Sequence, residues 1–145
     1  METIYGSIMG AIALLWTACG SGNQMISGQD LPAQAQQFIQ TYFPGANVQL
    51  AQKDSEIEGT EYKVKLDNGF VLEFDKEGMW KEVNGTPQSI PVNLVPSAIS
   101  EYVNLNFPEQ TILILEQEKN GYKIIMLNDV ELKFDKQGNL TEWDD

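Results

Sequence analysis

Residues Glu61–Trp80 and Gly121–Leu140 are two copies of one pattern, and that repeat constrains the fold more than any other feature. Each copy holds Tyr-Lys (Tyr62, Tyr122), a turn at Asn68 or Asn128, and then Phe-Asp-Lys-x-Gly, ending at Gly78 or Gly138. Side chains alternate between apolar and polar along both copies, as strands with one buried face require. Tyr62, Val64, Leu66, Phe70, Leu72 and Phe74 form the buried set of the first copy. Asp67-Asn68-Gly69 is a strong short-range hairpin signal, and Asp75-Lys-Glu-Gly78 reads as a turn closed by a left-handed glycine. A duplicated antiparallel meander follows.

Amphipathic segments precede each meander. Ala35, Phe38, Ile39, Tyr42 and Phe43 recur at helical spacing between Pro32 and Pro44. Ile99, Tyr102, Val103 and Phe107 do the same between Pro96 and Pro108. Asp30 or a neighbour can cap the first helix, and Pro32 suits its first turn, where no N–H is needed. The expected fold is therefore α+β: two tandem repeats, each one helix packed on a four-stranded antiparallel meander sheet. The two sheets could also join edges. The expected divisions are a leader at 1–18, a flexible tether at 19–30, repeat one at 31–84, a linker at 85–94 and repeat two at 95–145.

Composition removes several classes of function. The chain carries a formal charge of −12 with no basic stripe, which disfavours nucleic acid and anionic lipid surfaces. It has no histidine, so His-based catalytic triads and the usual zinc sites are excluded. Its one cysteine, Cys19, rules out a disulfide framework within the chain. No pair of carboxylates is set in an apolar cleft by the pattern, and no phosphate-cradling glycine loop is present, so an enzyme is not expected. The Asp75 and Asp135 turns lack the Asp-x-Asp-x-Asp spacing of calcium loops, and an aspartate bonding its own backbone explains them. No metal or cofactor is expected.

The apolar run Ile4–Ala18 is short for a membrane span, at about 15 residues, and suits the core of a signal peptide. Ala18-Cys19-Gly20 at its end resembles a bacterial lipobox, which implies lipidation at Cys19 and attachment to the membrane through that anchor alone. A plain secretory signal or a buried N-terminal helix are the alternatives. The expected location is the periplasm or the cell surface, lipid-anchored to the outer membrane, or secreted if Cys19 is not lipidated.

Strict alternation assigns the face opposite each helix. In repeat one that face would carry Gln49, Ala51, Lys63, Lys65, Val71, Glu73, Met79 and Lys81. In repeat two Leu113, Leu115 and Ile125 would stand among the equivalents, with Leu127 and Trp143 beside them. An exposed apolar patch of that size marks an interface, and Lys63, Lys65 and Lys123 would orient a partner. Three readings stay open: a partner or self-association, internal packing beneath another segment, or a slip of strand register.

Leu31-Pro32, Phe38-Ile39-x-x-Tyr42-Phe43-Pro44, the Tyr62-Lys-Val strand and Phe74-Asp-Lys-x-Gly78 together resemble the PepSY-like, β-lactamase-inhibitor-protein-like domains of secreted and lipid-anchored Bacteroides-type proteins. Val95-Pro96 through Phe134-Asp-Lys-x-Gly138 resembles them again. The resemblance implies tandem helix-plus-sheet units whose concave sheet binds, and in some relatives inhibits, an enzyme. No residue of the inhibitors' binding loops has a counterpart here. The expected function is non-catalytic binding of an unidentified envelope protein or peptide. A structural or self-assembling lipoprotein, including a homodimer through the same face, and a weak cation or small-ligand binder are the alternatives.

Overall fold

The computed structural model describes residues 23–56 and 59–145. Nine strands form one antiparallel sheet in strictly consecutive order. They are β1 (Asn23–Ile26), β2 (Val48–Glu56), β3 (Gly59–Leu66), β4 (Val71–Asp75), β5 (Trp80–Asn84), β6 (Ile112–Glu118), β7 (Gly121–Met126), β8 (Glu131–Asp135) and β9 (Leu140–Asp144). Two helices, α1 (Ala33–Tyr42) and α2 (Ser97–Asn106), lie on one side of it.

This corrects the expected pair of separate helix-on-four-strand units. β5 pairs with β6 through Glu82↔Glu116, Val83↔Leu115 and Asn84↔Ile114, so the two meanders are one sheet. Val83 and Leu115 are both fully buried at that seam. The helix side consequently holds a single core, running from Leu31 and Ala35 through Phe74 and Val83 to Ile99 and Phe134. A ninth strand comes from the stretch expected to be a tether: Asn23–Ile26 adds to β2, and Ile26 packs on the core. The linker is not loose either, since Ile90 and Leu94 are buried in the same core.

The helices dock through aromatic rings at matching places. Phe38 of α1 meets Phe74 edge-on at 5.5 Å and stacks on Trp80 at 6.1 Å. Tyr102 of α2 meets Phe134 edge-on at 5.6 Å. Such rings bury large apolar area, and edge-on contacts add to it. Pro32 and Pro96 stand just before the helices, and neither helix has a side-chain cap. Asp30 instead serves the preceding single turn, where it and Ser27 form a reciprocal capping box.

Turn chemistry repeats as well. Asp75 Oδ1 accepts the N–H groups of Glu77 and Met79, and Asp135 Oδ1 those of Gln137 and Asn139. These bonds from Asn139 and Gln137 hold the Asp135 carboxyl below its ordinary range. The closing glycines have φ of 90° at Gly78 and 88° at Gly138. Each presses on the start of its helix: a Cβ would fall 2.8 Å from Pro32 in the first case and 2.4 Å from Ala98 in the second. The turn thereby sets where the helix sits on the sheet.

Among the described residues no helix is long and apolar enough to cross a membrane. The expected leader and Cys19 lie outside the described residues.

Candidate functional site: the helix-free face

Two bulges per half decide which side chains reach the face that the helices leave uncovered. Register shifts fall between Val48 and Leu50 in β2 and between Ile112 and Ile114 in β6. They fall again opposite Glu73/Phe74 and Lys133/Phe134, where Lys81 and Thr141 are the extra residues. One extra residue inverts the facing of all that follow it. Ala51 and Leu115 therefore turn into the helix-side core, while Leu50, Gln52, Ile114 and Glu116 turn to the other face.

The result is a row of side chains in register across all nine strands: Met25, Gln52, Lys63, Glu73, Glu82, Glu116, Lys123, Lys133 and Glu142. At its centre three glutamates stand on the neighbouring strands β4, β5 and β6. Lys63 bonds Glu73 at 3.0 Å from one side. Lys123 lies 3.4 Å from Glu116 and 3.3 Å from Glu131 on the other. Glu82 has no lysine of its own. Burial, then the charges of Glu73 and Glu116, push its carboxyl up to about 8, against the opposing pull of Lys63. At neutral pH it keeps its proton. Burial disfavours the Lys123 ammonium, but Glu116 and Glu131 outweigh that and raise its pKa.

A second row runs beside the first: Leu50, Lys65, Val71, Asn84, Ile114, Ile125, Glu131 and Asp144. Its middle is buried. Leu113, Ile114 and Ile125 form a small cluster separate from the helix-side core, and Asn84, Gln52 and Lys63 are buried polar groups of the same face. Asn84 Oδ1 accepts the Thr86 N–H at 3.0 Å, whereas Gln52 Oε1 has no partner.

The five apolar residues expected on one open face, and the three lysines expected to orient a partner there, are thus dispersed. Leu115 belongs to the helix-side core because the β6 bulge reverses it. Trp143 pairs with Leu132, which places it on the helix side, edge-on to Phe107 at 5.5 Å. Leu113 and Ile125 are buried in the small cluster. Leu127 is 59% exposed at a strand end, where its backbone N–H donates to Thr111. Lys63 and Lys123 are held in ion pairs, and Lys65 stands half-buried between Leu50 and Val71. The glutamate row itself escaped the sequence reading. No local motif marks Lys81 as an extra residue, and without that bulge alternation from Trp80 puts Glu82 on the helix side.

On the helix side a pocket of about 180 Å³ opens beside α2, lined by Ile90, Val95, Val103 and Ile112 with Ser89, Ser100 and Gln110 at its polar parts. Among the described residues no group of three or more acidic or cysteine side chains is arranged to hold a metal ion.

Solved structures share this architecture. A protein of Bacteroides vulgatus described as a "putative periplasmic protein" of the DUF2874 family is 38% identical, with a TM-score of 0.80 over 87% of this chain and 99% of its own. A protein of Bacteroides thetaiotaomicron described as a "putative calcium-regulated periplasmic protein" is also 38% identical, with a TM-score of 0.81 over 85% and 97%. A second Bacteroides vulgatus protein, described as a "putative periplasmic protein of unknown function", is 28% identical with a TM-score of 0.81 over 86% and 100%. No curated protein matches the chain. The family described as "Putative beta-lactamase-inhibitor-like, PepSY-like" matches twice, at residues 15–75 and at residues 60–142, and the two matches overlap. The chain belongs to the PepSY-like family.

Proposed function

We propose that this is a non-catalytic periplasmic binding protein whose helix-free sheet face receives a protein or peptide partner. The observation that carries the reading is the row Lys63–Glu73–Glu82–Glu116–Lys123, two lysine–glutamate ion pairs flanking the protonated Glu82 over five adjacent strands on the face without helices. Fixed charges on a rigid sheet favour one complementary partner and reject others, so they act on specificity more than on affinity. Leu50 and Lys65 lie at the margin of this face and supply apolar and cationic contacts. The periplasmic descriptions of the relatives and the inhibitor-like description of the family support a regulator of an envelope enzyme, blocking it sterically. Lipid anchoring at Cys19 would hold the domain at the membrane.

The test is capture from a cell-envelope extract by the full chain, run beside Leu50→Glu/Lys65→Glu. Both substitutions sit at half-exposed positions, so circular dichroism should be unchanged. Capture by the wild type and loss in the variant supports the face as the binding surface. A partner retained equally by the variant removes the face from the reading. If neither captures a partner, a structural envelope component becomes the better description.

A further inference from the structure

We propose that the outer edge of β9 is a docking strand for an extended, lysine- or arginine-rich segment of another protein, which adds to the sheet as a tenth strand. The internal repeat provides the comparison. β5 and β9 occupy equivalent places: Leu72↔Val83 matches Leu132↔Trp143, and Val71↔Asn84 matches Glu131↔Asp144. The outer edge of β5 is filled by β6, and Val83 there is 0% exposed. The sheet of the described residues ends at β9, and Trp143 is 55% exposed. An unpaired edge presents backbone donors and acceptors to any extended chain. Trp143, braced edge-on by Phe107, offers an apolar contact where Leu115 meets Val83 in the first half. Tryptophan at such a position is a typical anchor of binding energy.

Charge selects the occupant. Glu142 and Asp144 lie on β9 and Asp145 follows it, in a chain of net charge −12. A second copy pairing β9 to β9 would set acid against acid, the usual protection of a sheet edge against self-association. A basic strand meets the opposite condition. Leu50 and Lys65 lie on β2 and β3, far across the sheet from β9, so Leu50→Glu/Lys65→Glu should leave this docking intact.

The experiment titrates full-length protein into a fluorescent peptide of about six residues, a usual strand length, alternating lysine and valine. Controls are the same peptide with glutamate for lysine, and one in which proline replaces every valine. Hydrogen exchange across Leu140–Asp144 is followed with and without the peptide. The lysine peptide should bind about tenfold more tightly than the glutamate peptide, and Glu142→Lys/Asp144→Lys should abolish that preference. Trp143→Ala should weaken binding about fivefold. Exchange in β9 should slow on binding, and the proline peptide should not bind, because it lacks the N–H groups a strand must donate. The proposal is overturned if the proline peptide binds equally, if exchange slows elsewhere but not in β9, if the charge-reversed variant keeps the preference, or if the protein alone forms a dimer through β9. The exchange measurement needs no variant, so a misfolded mutant cannot shelter the idea.

Discussion

Glu82 of β5 faces Glu73 of β4 directly across the strand pair, and burial together with the Glu73 charge raises the Glu82 carboxyl. Glu116 faces Glu82 from β6, so the seam of the two repeats carries a carboxylate between carboxylates. The proton on Glu82, with Lys63 on Glu73 and Lys123 on Glu116, relieves the repulsion.

Stability should therefore fall with rising pH across a defined window. The Glu82 carboxyl moves from an ordinary 4.5 in the unfolded chain to about 8 in the fold. Between those values the folded state holds a proton that the unfolded state lacks, so raising the pH favours unfolding. The cost is at most about 1.4 kcal/mol per pH unit, and on the order of a few kcal/mol in full above pH 8. Glu82→Gln keeps the hydrogen-bonding shape without the charge. Urea unfolding should show wild type and variant alike near pH 4, with the variant more stable at pH 9. A wild-type midpoint that rises from pH 5 to 8, unaffected by Glu82→Gln, would remove this account.

Lys123 is the counter-charge for two glutamates at once. Lys123→Met preserves its stem and leaves Glu116 and Glu131 unopposed on a partly buried face. Removing one partner of such a group should destabilise the fold by about 3 kcal/mol at pH 7. Urea denaturation of the variant beside the wild type at pH 7 measures the loss.

Gly121 has no room for a side chain. A Cβ there would lie 1.8 Å from the carbonyl oxygen of Phe134 and 2.9 Å from the Asp135 Cα, both backbone atoms. Its counterpart in the first repeat is Glu61, so the two meanders differ in local spacing at this point. Gly121→Ala should cost about 3 kcal/mol, since backbone and not a flexible side chain must move. Gly45→Ala is the comparison: φ is 86° but nothing lies within 4 Å of its Cβ, so only backbone strain remains. A thermal melt in which Gly45→Ala is the worse of the two would contradict this reading.

What could be read in the chain and what could not divide along local and non-local lines. The hairpin at Asn68, whose Oδ1 accepts the Phe70 N–H, and its twin at Asn128 are written into a few adjacent residues. So are the faces of the helices, where Phe38 and Tyr102 stand as their spacing requires. Facing within the strands was legible only up to the first bulge. Past it, Leu115 and Trp143 pointed the other way, and the apolar patch dissolved into two cores and an edge. Asn23–Ile26 is only four residues long, and becomes a strand because β2 offers Ala51–Asp54 for pairing. Joining of the repeats likewise depends on β5 meeting β6, a contact between segments separated by the linker and α2.

That joining has a consequence for cooperativity. Two independent domains would unfold in separate steps, whereas a shared core couples them through the seam, where Leu115 and Val83 are both fully buried. Trp80 reports on the first repeat and Trp143 on the second, once Trp16 is replaced by phenylalanine and each reporter is examined with the other also replaced. Urea curves from the two reporters should coincide, as a two-state transition requires. Leu115→Ala should cost about 3 kcal/mol and shift both curves together, although Leu115 lies in the second repeat. If the Trp80 curve stayed in place while the Trp143 curve moved, the seam would be a contact between two folding units rather than the middle of one.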